Sequence, residues 1–255
     1  MNVTLITHTP MPEKTVAAAA KLCYSDSKAS SLMDNMSDEK AEKFVDMLAG
    51  FGHESPVEHV TFTFGIEGVS RSFLAQITRH RIASFSVQSQ RYVKQNNFEF
   101  ITPPAIAQDP YAADVYKKAM DNAIDAYNIL ADRLQEKYIG ELLAKGMSEK
   151  AAYSKAEKMA IEDARFVLPN ACETKMVMTM NVRSLRNFFR LRCCNRAQWE
   201  IRAVADEMLR LCCAAAPALF SSAGPSCCCG ICSEGKMTCG RPEEVRERIK
   251  LLRGE

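Results

Sequence analysis

RHRIASFSVQSQRY, residues 79–92, gathers three arginines, a histidine, three serines and two glutamines around the apolar Ile82, Phe85 and Val87. Arginine carries a permanently charged, planar fork of donors that fits phosphate or carboxylate oxygens. Serine and glutamine add short neutral hydrogen bonds that fix orientation. The residues just before, SRSFLAQIT (70–78), have a helical period, with Phe73 and Ile77 on one face and Gln76, Arg79 and His80 on another. Gln76 and Arg79 therefore point toward one site suited to a phosphorylated ligand. A solvated basic helix end, its arginine complementing the helix dipole, accounts for the same residues without any ligand.

Outward from this stretch, the 255 residues are enough for a full core, and one domain is the expectation. Basic and acidic side chains number 33 and 31, for a net charge of +2, so no global field recruits nucleic acid or an anionic membrane. Met1 is followed by no signal-peptide pattern, and no apolar run approaches the ~20 residues that span a bilayer. A soluble, cytoplasmic protein with no membrane or nucleic-acid partner is expected. Eleven cysteines in such a chain read as reduced thiols rather than disulfide staples, and seven of them follow residue 211.

Strand and helix periods alternate along the chain. NVTLITHTP (2–10) reads as a strand, Pro12–Tyr24 as an Ala-rich helix, and Ser37–Ala49 as a second helix with Asp38 and Glu39 in its first turn. Val60–Ile66 alternates as a half-buried strand, and Phe98–Ile101 is a short strand closed by Pro103 and Pro104. Asp109–Lys145 and Ser148–Leu168 read as helices, Ser148 as a cap, with Glu162 and Arg165 three apart on one face. Lys175–Val182 is a strand leading into a helix over Arg183–Leu191, and Ala197–Ala216 is the last long helix. The expected class is α/β (α+β), a mixed sheet with long helices in a single domain over residues 1–220. Residues 221–255 form a Cys-rich extension that is not a separate globular domain.

The pattern Arg79, His80, Arg81, Ser84, Ser89, Arg91, Tyr92 resembles the signature of the flavin-dependent thymidylate synthases. HESPVEHVTFTF (53–64) and NVRSLRNFFRLRCCNRAQWE (181–200) resemble that family's upstream and downstream segments, in the same order. The resemblance implies reductive methylation of dUMP to dTMP, with FAD as cofactor, NADPH as reductant and methylenetetrahydrofolate as carbon donor, in a homotetramer whose sites form between subunits. It places dUMP contacts at Gln76, Ile77, Thr78, Arg79, Val87, Gln88, Ser89, Gln90, Arg91, Arg165 and Arg192. Flavin contacts fall at His53, Ser55, Arg79, His80, Arg81, Val87, Asn181, Val182, Arg183 and Asn187. Arg192 matches the residue that polarises the uracil ring and is the expected catalytic side chain, since a fixed cation stabilises charge developing in the reaction. No GxGxxG fingerprint occurs, so a Rossmann mode of dinucleotide binding has no support.

Bland readings stand beside several of these residues. His53 and His59 also suit strand-entry histidines, Arg165 an i,i+3 pair with Glu162, and Asn187 a local backbone bridge. The chain departs from the family at Ser86 and Val87, where Asn and Glu are usual, and at Arg196, where a histidine is common. Cys193 and Cys194 adjoin Arg192, so a depressed thiol pKa and a cysteine nucleophile form a rival mechanism. In CCCGICSEGKMTCG (227–240), Cys227, Cys229, Cys232 and Cys239 are candidate ligands for Zn or an iron–sulfur cluster, at irregular spacing. A non-catalytic nucleotide- or RNA-binding protein with a metal-binding tail is the alternative function.

Overall fold

A computed structural model describes residues 1–34, 36–91 and 99–255. Tyr92 and Phe98 lie outside the described residues. In chain order the elements are β1 (Asn2–His8), α1 (Pro12–Leu22), α2 (Ala29–Asp34), α3 (Asp38–Gly50), β2 (Thr61–Ser70), α4 (Arg71–Ile77) and β3 (Ser84–Val87). They continue with α5 (Pro104–Ala107), α6 (Pro110–Ala144), α7 (Glu149–Ala164), β4 (Glu173–Asn181), α8 (Val182–Arg192), α9 (Trp199–Ala215), α10 (Pro217–Phe220) and α11 (Pro242–Arg253). The α/β class expected from the sequence is what the chain adopts. Two compact units form: Met1–Glu67, Ala75–Ser86 and Met176–Glu255 make the first, and Gly68–Leu74 with Val87–Lys175 the second.

The first unit is built on a four-stranded sheet in the order β1-β2-β4-β3. β1 runs antiparallel to β2, Val3 opposite Ile66, with an irregularity between Leu5 and Thr7. β4 returns antiparallel beside β2, because Val182 N donates to the Val60 carbonyl while Thr63 and Thr179 join hydroxyls at 2.9 Å. Period-two burial follows the sequence: Phe62, Phe64 and Ile66 on β2, and Met176, Met178 and Met180 on β4, all turn inward. Helix α8 adds Leu185, Phe188 and Phe189, each fully buried, and α9 adds Ile201, Val204, Met208 and Leu209. Phe220 closes this core edge-on, 5.4 Å from Phe62 and 5.9 Å from Phe189 between ring centres, an arrangement aromatic pairs prefer.

In the second unit α6 and α7 form an antiparallel hairpin. Asp109 caps α6 by accepting from Tyr111 N and Ala112 N, and Gly146, at φ 79, turns the chain after it. Ala152, Ala156, Ala160 and Ala164 recur every fourth residue along α7 and are all buried, so the backbones approach closely. Leu142 packs against Ala152 and Ala156, while Tyr127 and Ala131 meet Ile161 and Ala164.

Several local expectations change. Ser148 sits at the α7 N-cap without a side-chain capping bond, and the helix ends at Ala164, with a 3-10 turn over Arg165–Val167 in place of the last helical residues. The strand expected at Phe98–Ile101 reduces, in its described part, to a bridge between Phe100 and Cys172 and a bond from Ile101 N to the Ala171 carbonyl. Pro103 and Pro104 lack the donors that would extend it. Strand β3 lies inside the 79–92 stretch and α11 inside the tail, and neither is among the elements expected above.

Candidate functional site

A cavity of about 910 Å³ opens within the first unit, at the upper end of what small-molecule and cofactor sites enclose. Three chain segments that are distant in sequence build it. Gly52, His53, Glu54 and Glu58 come from the region between α3 and β2; Arg79, His80, Arg81 and Ile82 from the bend after α4; and Asn181 from the N-cap of α8, Arg183, Arg186, Asn187 and Arg190 from one face of that helix, and Arg192 from its last turn. Ser222, Ala223 and Gly224, after α10, complete the wall.

Local physics explains each placement. Ile77 is fully buried and anchors the end of α4, after which Arg79 N and His80 N bond back to Gln76 and Ile77 and turn the chain into the cavity. Helix α8 is sharply amphipathic. Val182, Leu185, Phe188 and Phe189 take the core face, leaving residues 183, 186, 187 and 190 on the opposite face at i, i+3, i+4 and i+7. Asn181 caps this helix, its Oδ1 accepting from Ser184 N at 2.8 Å, and lines the cavity at the start of α8.

The side chains hold one another in place. Arg192 Nε donates to His80 Nε2 at 3.1 Å, which makes His80 the acceptor and puts its own proton on Nδ1. Burial first, and the Arg192 cation second, pull the His80 pKa from 6.5 to about 4, so the ring is neutral at physiological pH. Its ring meets Phe188 edge-on at 5.0 Å. Burial and the nearby Arg79 charge push the Arg192 guanidinium downward from its ordinary value, though an arginine stays protonated. Arg183 donates to Glu54 Oε2 at 3.1 Å and to Glu58 Oε1 at 2.5 Å. Asn187 Oδ1 accepts from the Arg190 guanidinium at 2.9 Å, a bond between side chains and not the backbone bridge considered above.

Of the residues expected at the flavin, His53, Arg79, His80, Arg81, Asn181, Arg183 and Asn187 line this one cavity, with Arg192. Ser55 sits outside it, exposed at the start of the 3-10 turn Pro56–His59, and Val182 is buried in the core with its N–H spent on Val60. Among the expected dUMP contacts, Gln76, Ile77, Thr78, Arg79 and Arg192 belong to the first unit. Val87, Gln88, Ser89, Gln90, Arg91 and Arg165 belong to the second. There Arg91 pairs with Glu162 at 2.7 Å, and Arg165 Nε donates to the Glu162 carbonyl at 3.1 Å. The Glu162 carboxylate thus bonds Arg91, from a distant segment, while Arg165 takes the main-chain oxygen one turn back. Ser89 Oγ accepts from Arg91 N at 3.1 Å. Arg165 also lies near enough to Arg71 to lower its pKa, after burial, so Arg71 joins this second basic cluster.

Arg186, Arg190, Glu54 and Glu58 are cavity residues that sequence reading passed over. Their signal was present: the α8 residues continue the helical face that carries Arg183, and both acids stand inside the 53–64 segment. Arg186 is the structural member, buried and donating to the Leu219 carbonyl at 2.9 and 2.7 Å. Arg196 is exposed and does not line the cavity, and neither do Ser86 and Val87.

Cys193 does not form the nucleophile considered above. Cys193 is fully buried, and burial together with Asp206 holds its pKa well above the ordinary value, the opposite of an activated thiolate. Among the described residues no group of three or more His, Cys, Asp or Glu side chains is placed to hold a metal ion, so Cys227, Cys229, Cys232 and Cys239 do not converge on one centre. Compactness in sequence misled here: Cys227 turns into the core, while Cys229 is exposed and points its Sγ at the Ser222 carbonyl 3.3 Å away. Among the described residues no helix is long and apolar enough to cross a membrane.

An α/β chain whose cavity is lined by arginines, neutral amides and an imidazole has donors that suit an anionic ligand. Comparison with known proteins narrows the class. A family profile described as thymidylate synthase complementing protein matches residues 4–218. A flavin-dependent thymidylate synthase of Clostridium tetani is 53% identical over 97% of this chain and 96% of its own. One from Geobacter sulfurreducens is 45% identical over 99% of both chains, and one from Pyrococcus furiosus 39% identical over 82% of this chain and 78% of its own. The chain belongs to the flavin-dependent thymidylate synthase family.

Proposed function

We propose that this protein methylates dUMP reductively to dTMP, with FAD held in the first-unit cavity, methylenetetrahydrofolate as carbon donor and NADPH as reductant. The observation that carries the reading is convergence. Residues from 53–58, 79–82 and 181–192, remote in sequence, meet in one cavity whose donors suit an anionic, hydrogen-bonding ligand. The bound flavin would supply the hydride that amino-acid side chains lack. Arg79 and Arg81 offer charge to phosphate oxygens, and Asn181 and Asn187 offer neutral amides to a flavin's polar edge. Arg192 supplies the fixed cation that stabilises charge developing on the uracil ring, and neutral His80 orients it by accepting from Nε.

The dUMP phosphate would draw on the arginines named from the family pattern, including Arg91 and Arg165 of the second unit. Assembly as a homotetramer, as the resemblance implies, would bring copies of these arginines to shared sites. A cytoplasmic location fits a nucleotide-biosynthetic methyltransferase. The purified protein is expected to be yellow and to convert dUMP to dTMP with NADPH and methylenetetrahydrofolate. A colourless protein that fails to bind added FAD would refute the proposal.

A further inference from the structure

The family profile ends at residue 218, yet three arginines of α11 reach back to main-chain carbonyls. Arg253 donates to the Ala223 carbonyl through Nε at 3.1 Å and Nη2 at 2.5 Å. Arg248 donates through Nη2 to the Cys193 carbonyl at 2.6 Å and to Asn195 Oδ1 at 3.2 Å, and pairs through Nη1 with Asp206 of α9. Arg246 Nε donates to the Cys227 carbonyl at 2.8 Å. Charge-assisted bonds such as these are stronger than neutral ones.

One of the three carbonyls belongs to a residue that lines the cavity, and a second belongs to the residue after one that does. Ala223 lines it beside Ser222 and Gly224. Cys193 directly follows Arg192 and is the C-cap of α8, where helical carbonyls lack partners and a cation is favoured. The helix that carries the arginines is itself seated, with Val245 and Ile249 at 1% and 0% exposure. Gly224 marks how close the approach is: its φ is 141, and a Cβ there would stand 3.1 Å from Ile249 Cγ2 and 3.5 Å from Arg253 Nη2. The Arg253 side chain is only 10% exposed, so its fork is committed to the cavity wall and not to solvent.

We propose that α11 belongs to the cofactor-binding machinery, with Arg253 and Arg248 as positioning residues that hold the Ser222–Gly224 wall and the Arg192 end of α8 in the arrangement that binds flavin. This rests on the reading that the cavity takes FAD. Full-length protein freed of flavin is titrated with FAD as wild type and as Arg253→Met, Arg253→Lys, Arg248→Met and Arg246→Met. Losing one clamp is expected to weaken binding about tenfold in Arg253→Met and Arg248→Met. Arg253→Lys, which keeps the charge but not the fork, loses less. Arg246→Met, whose carbonyl lies off the cavity, stays within about twofold of wild type, as an interaction outside the site should. Wild-type affinity in both Arg253→Met and Arg248→Met, or an equal loss in Arg246→Met, overturns the proposal.

Should a methionine variant fail to fold, the wild type supplies a second test by amide hydrogen exchange with and without saturating FAD. Binding that depends on the clamp must steady it in return, so exchange slows across α11 as well as at Ser222–Gly224. Protection at the cavity with none in α11 overturns the proposal. Failure of the wild type to bind FAD at all removes the flavin reading, and the proposal with it.

Discussion

His80 gives the sharpest quantitative test of the cavity as built. Its imidazole is half-buried, stands next to the Arg192 cation and accepts a hydrogen bond that only the neutral ring can take, so its pKa falls from 6.5 to about 4. The folded value is depressed, so between these two values the unfolded chain binds a proton that the folded one refuses. Stability is therefore fully present above about pH 6.5 and is lost as pH falls toward about 4. Between about pH 7 and about pH 5 the loss is at most ~2 kcal/mol, less whatever solvent screens at the half-exposed ring. Urea unfolding of wild type and His80→Gln at both pH values isolates this contribution, because the difference between the two proteins cancels other titrating groups. The glutamine variant should lose less stability on acidification. Assigning the four histidine ring signals by NMR gives the midpoint directly. A His80 midpoint near 6.5, or the same acid loss in both proteins, would refute the placement of Arg192 against His80.

Other outcomes follow from named contacts. Arg192→Ala should lower turnover by about 10²-fold or more, as removal of a charge-stabilising donor does, while steady-state assays find Cys193→Ser and Cys194→Ser active. Loss of activity in a folded serine variant would restore the cysteine mechanism. Phe220→Ala removes the ring that meets both Phe62 and Phe189 and should cost about 3–5 kcal/mol in chemical denaturation.

Much of this protein was legible in its residues, and the reasons differ from element to element. The alternation Phe62, Phe64, Ile66 and the repeat of alanines along α7 fix a strand and a helix because burial depends on a local period. Asp109 and Asn181 announce helix starts because capping is a contact over two or three residues. Strand β3 escaped because it has only four residues inside a polar motif, whereas α11 carries local signals, Pro242 and two acids at its start, Val245 and Ile249 one turn apart and Gly254 at its end, that the cysteines beside it drew attention from.

The sequence by itself determined the α/β class and the family, and singled out some of the charged residues that line the cavity, since periods, caps and motif spacing are properties of neighbouring residues. Only the tertiary structure decided what each of those residues faces. It set Arg192 against His80, gave Arg183 to Glu54 and Glu58, paired Glu162 with Arg91, and brought Arg253 to Ala223. Partners separated by tens of residues are chosen by how helices and strands pack, and no local spacing carries that information.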